Sequence, residues 1–366
     1  MRGPGLLSMN TAERAHHLAA AVARFPFLGR TTADELLALV RAEFSHAGAL
    51  DDFVPYGGHF AKVLAVETIL HVVSANTPAA GLQSLIRGLL LGAHNLCKTP
   101  SAGLPEIGEF RAALPAELTA RVEIAGELPA DWLARADALI VFGHDATIAH
   151  FRTLARPEQR FIAHGHRLSF GVVFDDPAHA SAPLAARDAS LFDQQGCLSP
   201  HVFYVAGDAR GYAARLAEEM RAFQEREPRG KIALAEANAI RTRREDLAFR
   251  AAQGEPITLW QSEASTAWTV VCDARPGFPR SPLNRFVFVK PLPTDFGAEL
   301  REVRAHLSCA GFWPATLAHA RTLAPLGVSR LCPLGQMQEP PWTWLQDGAP
   351  ALAPLVRWVG TEGARE

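Results

Sequence analysis

Cys197 stands in Asp193-Gln194-Gln195-Gly196-Cys197-Leu198-Ser199-Pro200, after a helix-like stretch and before the apolar run Val202-Phe203-Tyr204-Val205. A thiol at a helix-to-strand junction, beside a glycine, can be presented on a loop, and its thiolate attacks carbonyls and thioesters once its pKa is lowered. A small buried filler is the alternative for an intracellular cysteine, and the octapeptide by itself does not separate the two.

Four further positions follow strand-like runs. In Ser74-Ala75-Asn76-Thr77-Pro78 the Asn76 carboxamide can donate to an oxyanion, or it can close a turn on its own backbone. Lys98, in Lys98-Thr99-Pro100-Ser101, can reach the ribose of a nucleotide or stand as a solvated charge. Phe142-Gly143-His144-Asp145 runs from a strand into a helix, where free N–H groups suit a pyrophosphate, or where Asp145 simply caps the helix. In His164-Gly165-His166 either imidazole can move protons near neutral pH or serve structure, and no second pair of ligands at zinc spacing makes a metal site.

These positions lie on an alternating pattern of strands and helices. After two amphipathic helices over 11–24 and 32–44, strands are expected at 68–73, 95–97, 121–125, 138–143, 160–163 and 168–174, spaced by helices at 81–91, 130–136 and 146–155. Past Cys197 come strands at 202–205, 257–260, 268–272 and 286–290, with helices at 209–226, 233–253, 296–306 and 314–323. Such alternation predicts an α/β protein of parallel sheets, which bind ligands at the carboxyl ends of their strands. The expected division is 1–182 (N-terminal helices and a Rossmann-type dinucleotide-binding domain), 183–330 (an α/β catalytic domain carrying the cysteine) and 331–366 (a Pro- and Trp-rich segment returning to the domain interface).

Composition narrows the function classes. A net charge of -2 offers no electrostatic case for nucleic acid or an anionic membrane. The basic residues are almost all arginine; the lysines are Lys62, Lys98, Lys231 and Lys290. The 5 cysteines are odd in number and widely spaced, against both a disulfide framework and a zinc site. With neither a signal-like N-terminus nor a membrane-length apolar run, a cytoplasmic location is expected.

Taken in order, an Asn loop, a Lys after the next strand, a Gly-led helix start and a Cys after a helix resemble the aldehyde dehydrogenase superfamily. More closely, the chain is similar to the acyl-CoA reductase family of LuxC type. The segment 193–200 is similar to that family's active-site segment, and Phe142-Gly143-His144-Asp145-Ala146-Thr147-Ile148-Ala149 to its cofactor loop. Ser281-Pro282-Leu283-Asn284-Arg285 and the tail over 327–348, with Pro340-Pro341-Trp342-Thr343-Trp344 and Asp347-Gly348, share the likeness, which covers roughly residues 66–360.

The resemblance implies that Cys197 accepts the acyl group, that Asn76 and the Cys197 N–H form an oxyanion hole, and that His164 occupies the catalytic strand end. It implies cofactor contacts from Ser74, Ala75, Lys98, Ser101, Phe142, Gly143 and His144. Many aldehyde dehydrogenases carry Glu where this chain has Ser101, so NADP(H) fits at least as well as NAD(H). Hydrolytic members carry Glu in the segment held here by His164-Gly165-His166, which has no carboxylate of its own. The expected activity is therefore NADPH-dependent reduction of an acyl-CoA or acyl carrier protein thioester to an aldehyde. The alternatives are oxidation of an aldehyde to an acid, or a catalytically weak acyl-binding subunit. A homo-oligomer, or a complex with an acyl-transferring or acyl-activating partner, is the expected assembly, although the chain is short for the family.

Overall fold

The computed structural model describes residues 9–74, 78–101 and 103–363. The chain divides into two compact units, Met1–His166 with Pro341–Glu366, and Arg167–Pro340.

In the first unit, helices Thr11–Val22 and Ala33–Phe44 each open with a capping box: Asn10 and Thr32 accept from the N–H groups of Glu13 and Glu35, whose carboxylates return to the cap N–H groups. Their apolar faces bury Leu18, Leu36, Leu39 and Phe44. An antiparallel sheet follows, built from β1 (Val54–Tyr56), β2 (His59–Ala65) and the last strand of the chain, β15 (Val356–Thr361). None of these three is among the expected strands; β2 alternates only loosely, and β15 finds its partner at the far end of the chain.

The larger sheet of this unit contains β3 (Thr68–Val72), β4 (His94–Lys98), β5 (Val122–Ala125), β6 (Ala138–Phe142) and β7 (Arg160–His164), in the order β5-β4-β3-β6-β7. All its pairings are parallel. Short apolar runs such as Ala138-Leu139-Ile140-Val141-Phe142, buried along their whole length, form strands covered on both faces. From β3 the chain steps outward to β4 and β5, then crosses back to β6 and β7. The strand order thus reverses between β3 and β6, the place where open α/β sheets bind ligands beyond the carboxyl ends of their strands.

The second unit holds β8 (Leu168–Val173), β9 (Pro200–Val205), β10 (Ile257–Gln261), β11 (Thr269–Asp273), β12 (Phe286–Pro291), β13 (Leu307–Trp313) and β14 (Arg330–Pro333). Their order is β10-β11-β12-β9-β8-β13-β14. Only the β10–β11 pair is antiparallel. Leu168, Phe170, Val202, Tyr204, Phe286 and Phe288 are buried in its core.

The structure departs from the expected elements at several points. The units part at His166, ahead of the expected division after residue 182, because β8 pairs with β9 and β13 and so belongs to the second sheet. The C-terminal segment is shared: residues through Pro340 stay with the second unit, and the remainder joins the first. Strand β13 was not expected at all. Its Leu-Ser-Cys-Ala-Gly-Phe-Trp has no β-branched residue, and its conformation is set by pairing with β8 and β14 on its two sides. The helix expected over 296–306 is broken into two short turns, Phe296–Glu299 and Arg304–His306, and in the first Glu299 pairs with buried Lys290 at 3.1 Å.

Candidate active site

The second unit presents Cys197. Helix Ser181–Ser190 leads to it, with Asp188 buried at 0 % exposure and accepting from the N–H groups of Gly335 (2.6 Å) and Met337 (3.0 Å). Burial pushes the Asp188 carboxyl up to about 7, and those two N–H groups and nearby Arg187 and Arg330 pull against it. Beyond the helix, Phe192, Asp193 and Gln194 take φ of 52°, 51° and 63°. Three consecutive non-glycine residues in the left-handed region are held only where surrounding contacts over-determine them.

Those contacts come largely from Ser281-Pro282-Leu283-Asn284-Arg285, itself left-handed at Leu283, Asn284 and Arg285 (φ 64°, 58° and 63°). The Arg285 guanidinium donates to Asp193 Oδ1 from Nε (2.9 Å), with Nη2 2.7 Å from the same oxygen. Asp193 Oδ2 accepts from the Gly230 N–H at 3.0 Å. The fully buried Gln194 amide donates to the carbonyls of Pro200 (2.8 Å) and Phe286 (2.9 Å) and accepts from the Phe286 N–H (2.8 Å). Gln195 donates to Asn284 Oδ1 at 3.0 Å. On the other side, Ser169 Oγ donates to the Cys197 carbonyl at 2.8 Å, and Ser199 Oγ accepts from Gln338 at 2.9 Å.

On this loop Cys197 is the one exposed cysteine of the chain, whereas Cys97, Cys272, Cys309 and Cys332 are buried. Burial pushes the Cys97 thiol up to about 12, which leaves it inert. The exposure of Cys197 does not fit the buried-filler alternative.

The first unit gathers the other candidates at the carboxyl ends of its parallel strands. Ser74 lies just beyond β3; Ala75 and Asn76 fall outside the described residues. Lys98 ends β4 and is half-buried, and Ser101 is exposed in the turn that follows. Phe142 ends β6, and the Gly143 N–H donates to the His164 carbonyl at 3.2 Å. His144, not Asp145, is the N-cap of helix Asp145–Leu154, and no side chain caps that terminus. Its first-turn N–H groups suit an anionic ligand beside the β3–β6 reversal.

His164 ends β7, stacked on the Phe142 ring at 4.6 Å between centroids. Its Nδ1 lies 2.7 Å from Asp347 Oδ2, and both side chains are mostly buried. A carboxylate only accepts, so Nδ1 carries the hydrogen and Nε2 is left as the basic nitrogen. The strand segment 164–166 lacks a carboxylate, as expected, but the tail brings one to it. Asp347 was noted in the sequence only as part of Asp347-Gly348; its φ of 56°, which Asp tolerates better than most residues, is the local sign of its special placement. Arg285 and Asn284 were likewise noted without a role. Among the described residues no cluster of His, Cys, Asp and Glu is arranged to hold a metal, and no helix is long and apolar enough to cross a membrane.

Comparison with known proteins accords with this geometry. A long-chain acyl-protein thioester reductase of Photobacterium leiognathi is 23% identical over 345 residues, spanning 88% of this chain and 70% of that protein. Among solved structures, the NAD-dependent benzaldehyde dehydrogenase of Corynebacterium glutamicum superposes with a TM-score of 0.65 at 14% identity, covering 97% of this chain and 86% of that one. The NADP-dependent glyceraldehyde-3-phosphate dehydrogenase of Bacillus halodurans, complexed with NADP, gives 0.64 at 12%, covering 97% and 87%. The architecture is therefore the aldehyde dehydrogenase fold. The family model described as acyl-CoA reductase (LuxC) matches residues 11–358, and the chain belongs to that family.

Proposed function

We propose that this protein reduces an acyl thioester to an aldehyde with NADPH, carrying the acyl group on Cys197. The observation that carries the reading is Cys197 itself, exposed on a loop whose strained backbone is held from several sides, in a member of the acyl-CoA reductase (LuxC) family. The Cys197 thiolate displaces the carrier thiol to form a cysteine thioester, with Asn76 and the Cys197 N–H as donors to the oxyanion. The name of the Photobacterium relative supports a protein-bound thioester as donor, beside acyl-CoA and acyl carrier protein.

The first unit fits a dinucleotide. Its sheet reverses order between β3 and β6, the helix start at Gly143-His144 lacks a side-chain cap, and Lys98 stands at the end of β4. Lys98 would hold the ribose and Gly143 with His144 the pyrophosphate, with Ser74, Ala75, Ser101 and Phe142 as further contacts. Ser101 leaves room for a 2′-phosphate, which favours NADPH. When bound, the cofactor supplies the hydride that turns the cysteine thioester into aldehyde and regenerated thiolate. His164 Nε2 is the group suited to move a proton.

The pairing of His164 with Asp347 also favours a second reading, oxidation of an aldehyde with water attacking the thioester, because an imidazole oriented by a carboxylate can activate water. Product analysis separates the two: aldehyde from acyl-CoA and NADPH supports reduction, and free acid formed from aldehyde without a thiol supports oxidation. Cys197→Ala is expected to abolish either reaction while NADPH still binds; an alanine variant that turns over overturns the proposal.

A further inference from the structure

We infer that Asp193, Gln195, Asn284 and Arg285 are positioning residues for acyl transfer, which set the attitude of the Cys197 loop without touching substrate. The inference rests on Cys197 being the acyl-accepting nucleophile. Two left-handed triplets, 192–194 and 283–285, face one another through side chains. In each triplet only the middle residue, Asp193 or Asn284, is of a type that tolerates positive φ; Phe192, Gln194, Leu283 and Arg285 gain nothing from it.

Arg285 joins the two triplets and anchors them. Besides Asp193, its Nη1 donates to Gln224 Oε1 and to the Glu227 carbonyl, both at 2.8 Å, and its side chain is 5 % exposed. Arg229 holds the Asn284 carbonyl at 3.2 Å, and Asn284 Nδ2 lies 3.4 Å from Glu236 Oε1. The loop is thereby tied to helices Ala209–Arg226 and Leu234–Ala252 as well as to the start of β12. A buried guanidinium held through all three of its nitrogens is a costly device for shaping a short loop on which Cys197 is the exposed residue. What it secures is a single backbone path into Gly196-Cys197, and acyl transfer needs that path because thiolate and oxyanion donor must meet the carbonyl together.

Simple alkylation of the thiol makes no such demand, and this difference provides the test. Gln195 has an ordinary helical backbone (φ -82°), so Gln195→Ala removes one hydrogen bond without backbone strain. Asp193→Asn keeps an acceptor and tolerates the left-handed region, whereas Asp193→Ala loses both. The full-length variants are mixed rapidly with dodecanoyl-CoA, and acyl-Cys197 is followed by intact-protein mass spectrometry; iodoacetamide labelling of Cys197 and thermal midpoints are measured in parallel.

Acylation is expected to slow about five- to tenfold in Gln195→Ala, the scale of one hydrogen bond, with alkylation within twofold of wild type. It should slow about a hundredfold in Asp193→Ala and recover substantially in Asp193→Asn. Unchanged acylation in Gln195→Ala and Asp193→Ala, or equal loss in both labelling reactions, overturns the inference. If wild-type Cys197 takes no acyl label, the nucleophile reading itself fails, and the two failures are thereby told apart.

Discussion

The Nδ1 atom of His164 lies 2.7 Å from Oδ2 of Asp347, joining residues 183 positions apart in the chain. The bond selects one tautomer, and the ring of Phe142 stacked on His164 fixes its plane. An imidazole held by its Nδ1 and by its face has a defined direction for its basic nitrogen, as a proton-transfer group requires.

If His164 moves a proton in turnover, His164→Ala lowers kcat about a hundredfold. Asp347→Asn frees the ring to take either tautomer and lowers kcat at least about tenfold, while Cys197 alkylation stays at the wild-type rate. Steady-state aldehyde formation from acyl-CoA measures both, and wild-type turnover in either variant removes the pair from the reaction.

Ser101 offers a direct test of cofactor choice. It is exposed in the turn after β4, so a longer side chain is accommodated there without repacking. Ser101→Glu is expected to raise the KM for NADPH about tenfold by repulsion of the 2′-phosphate and to leave the KM for NADH unchanged or lower. Lys98→Ala should weaken both cofactors. Steady-state kinetics with each cofactor provide the comparison.

His71 makes folding of the protein sensitive to acid. It is fully buried beneath helix Pro78–Leu90, with Nδ1 2.8 Å from Ser84 Oγ and Nε2 2.9 Å from Asn95 Oδ1. Burial lowers its pKa from 6.5 to about 4, opposed by the Asn95 hydrogen bond. The unfolded chain therefore takes up the proton first. The stability His71 contributes is present above pH 6.5 and is lost as pH falls toward about 4, at about 1.4 kcal/mol per pH unit. Asp188, raised from 3.8 to about 7 by burial, acts in the opposite sense: its contribution is present below 3.8 and is lost as pH rises through about 7. His71→Gln should accordingly remove the acid loss, so urea unfolding of the variant becomes flatter than wild type between pH 6.5 and 4. Parallel curves for the two proteins would contradict the assignment.

Gly171 lies in β8 directly opposite Phe203 of β9. A Cβ there would enter the Phe203 ring, which sits at 0 % exposure and has no room to retreat. Gly171→Ala is expected to destabilise the protein by about 1–3 kcal/mol, read as a lower urea midpoint. A midpoint equal to wild type would show that the ring can move.

Much of the architecture was legible locally. The parallel strands β6 and β9 are short, wholly buried apolar runs, and helix Ala33–Phe44 opens on the Thr32 cap, signals that act over a few residues. The candidates at strand ends were legible for the same reason: Lys98, Phe142 and His164 are the last residues of their strands. Strand β13 was not, because Ser308, Cys309 and Gly311 carry no β preference of their own, and β15, though rich in Val and Trp, finds its partner β2 only at the far end of the chain.

By itself the sequence determined the α/β class, the family likeness and a short set of chemical groups led by Cys197, since each depends on residue type and near-neighbour spacing. Only the tertiary structure decided which groups act together. Asp193 meets Arg285 across 92 positions, and His164 meets Asp347 across 183. Side-chain hydrogen bonds require atoms within about 3 Å, and only packing of the folded chain brings such distant residues that close.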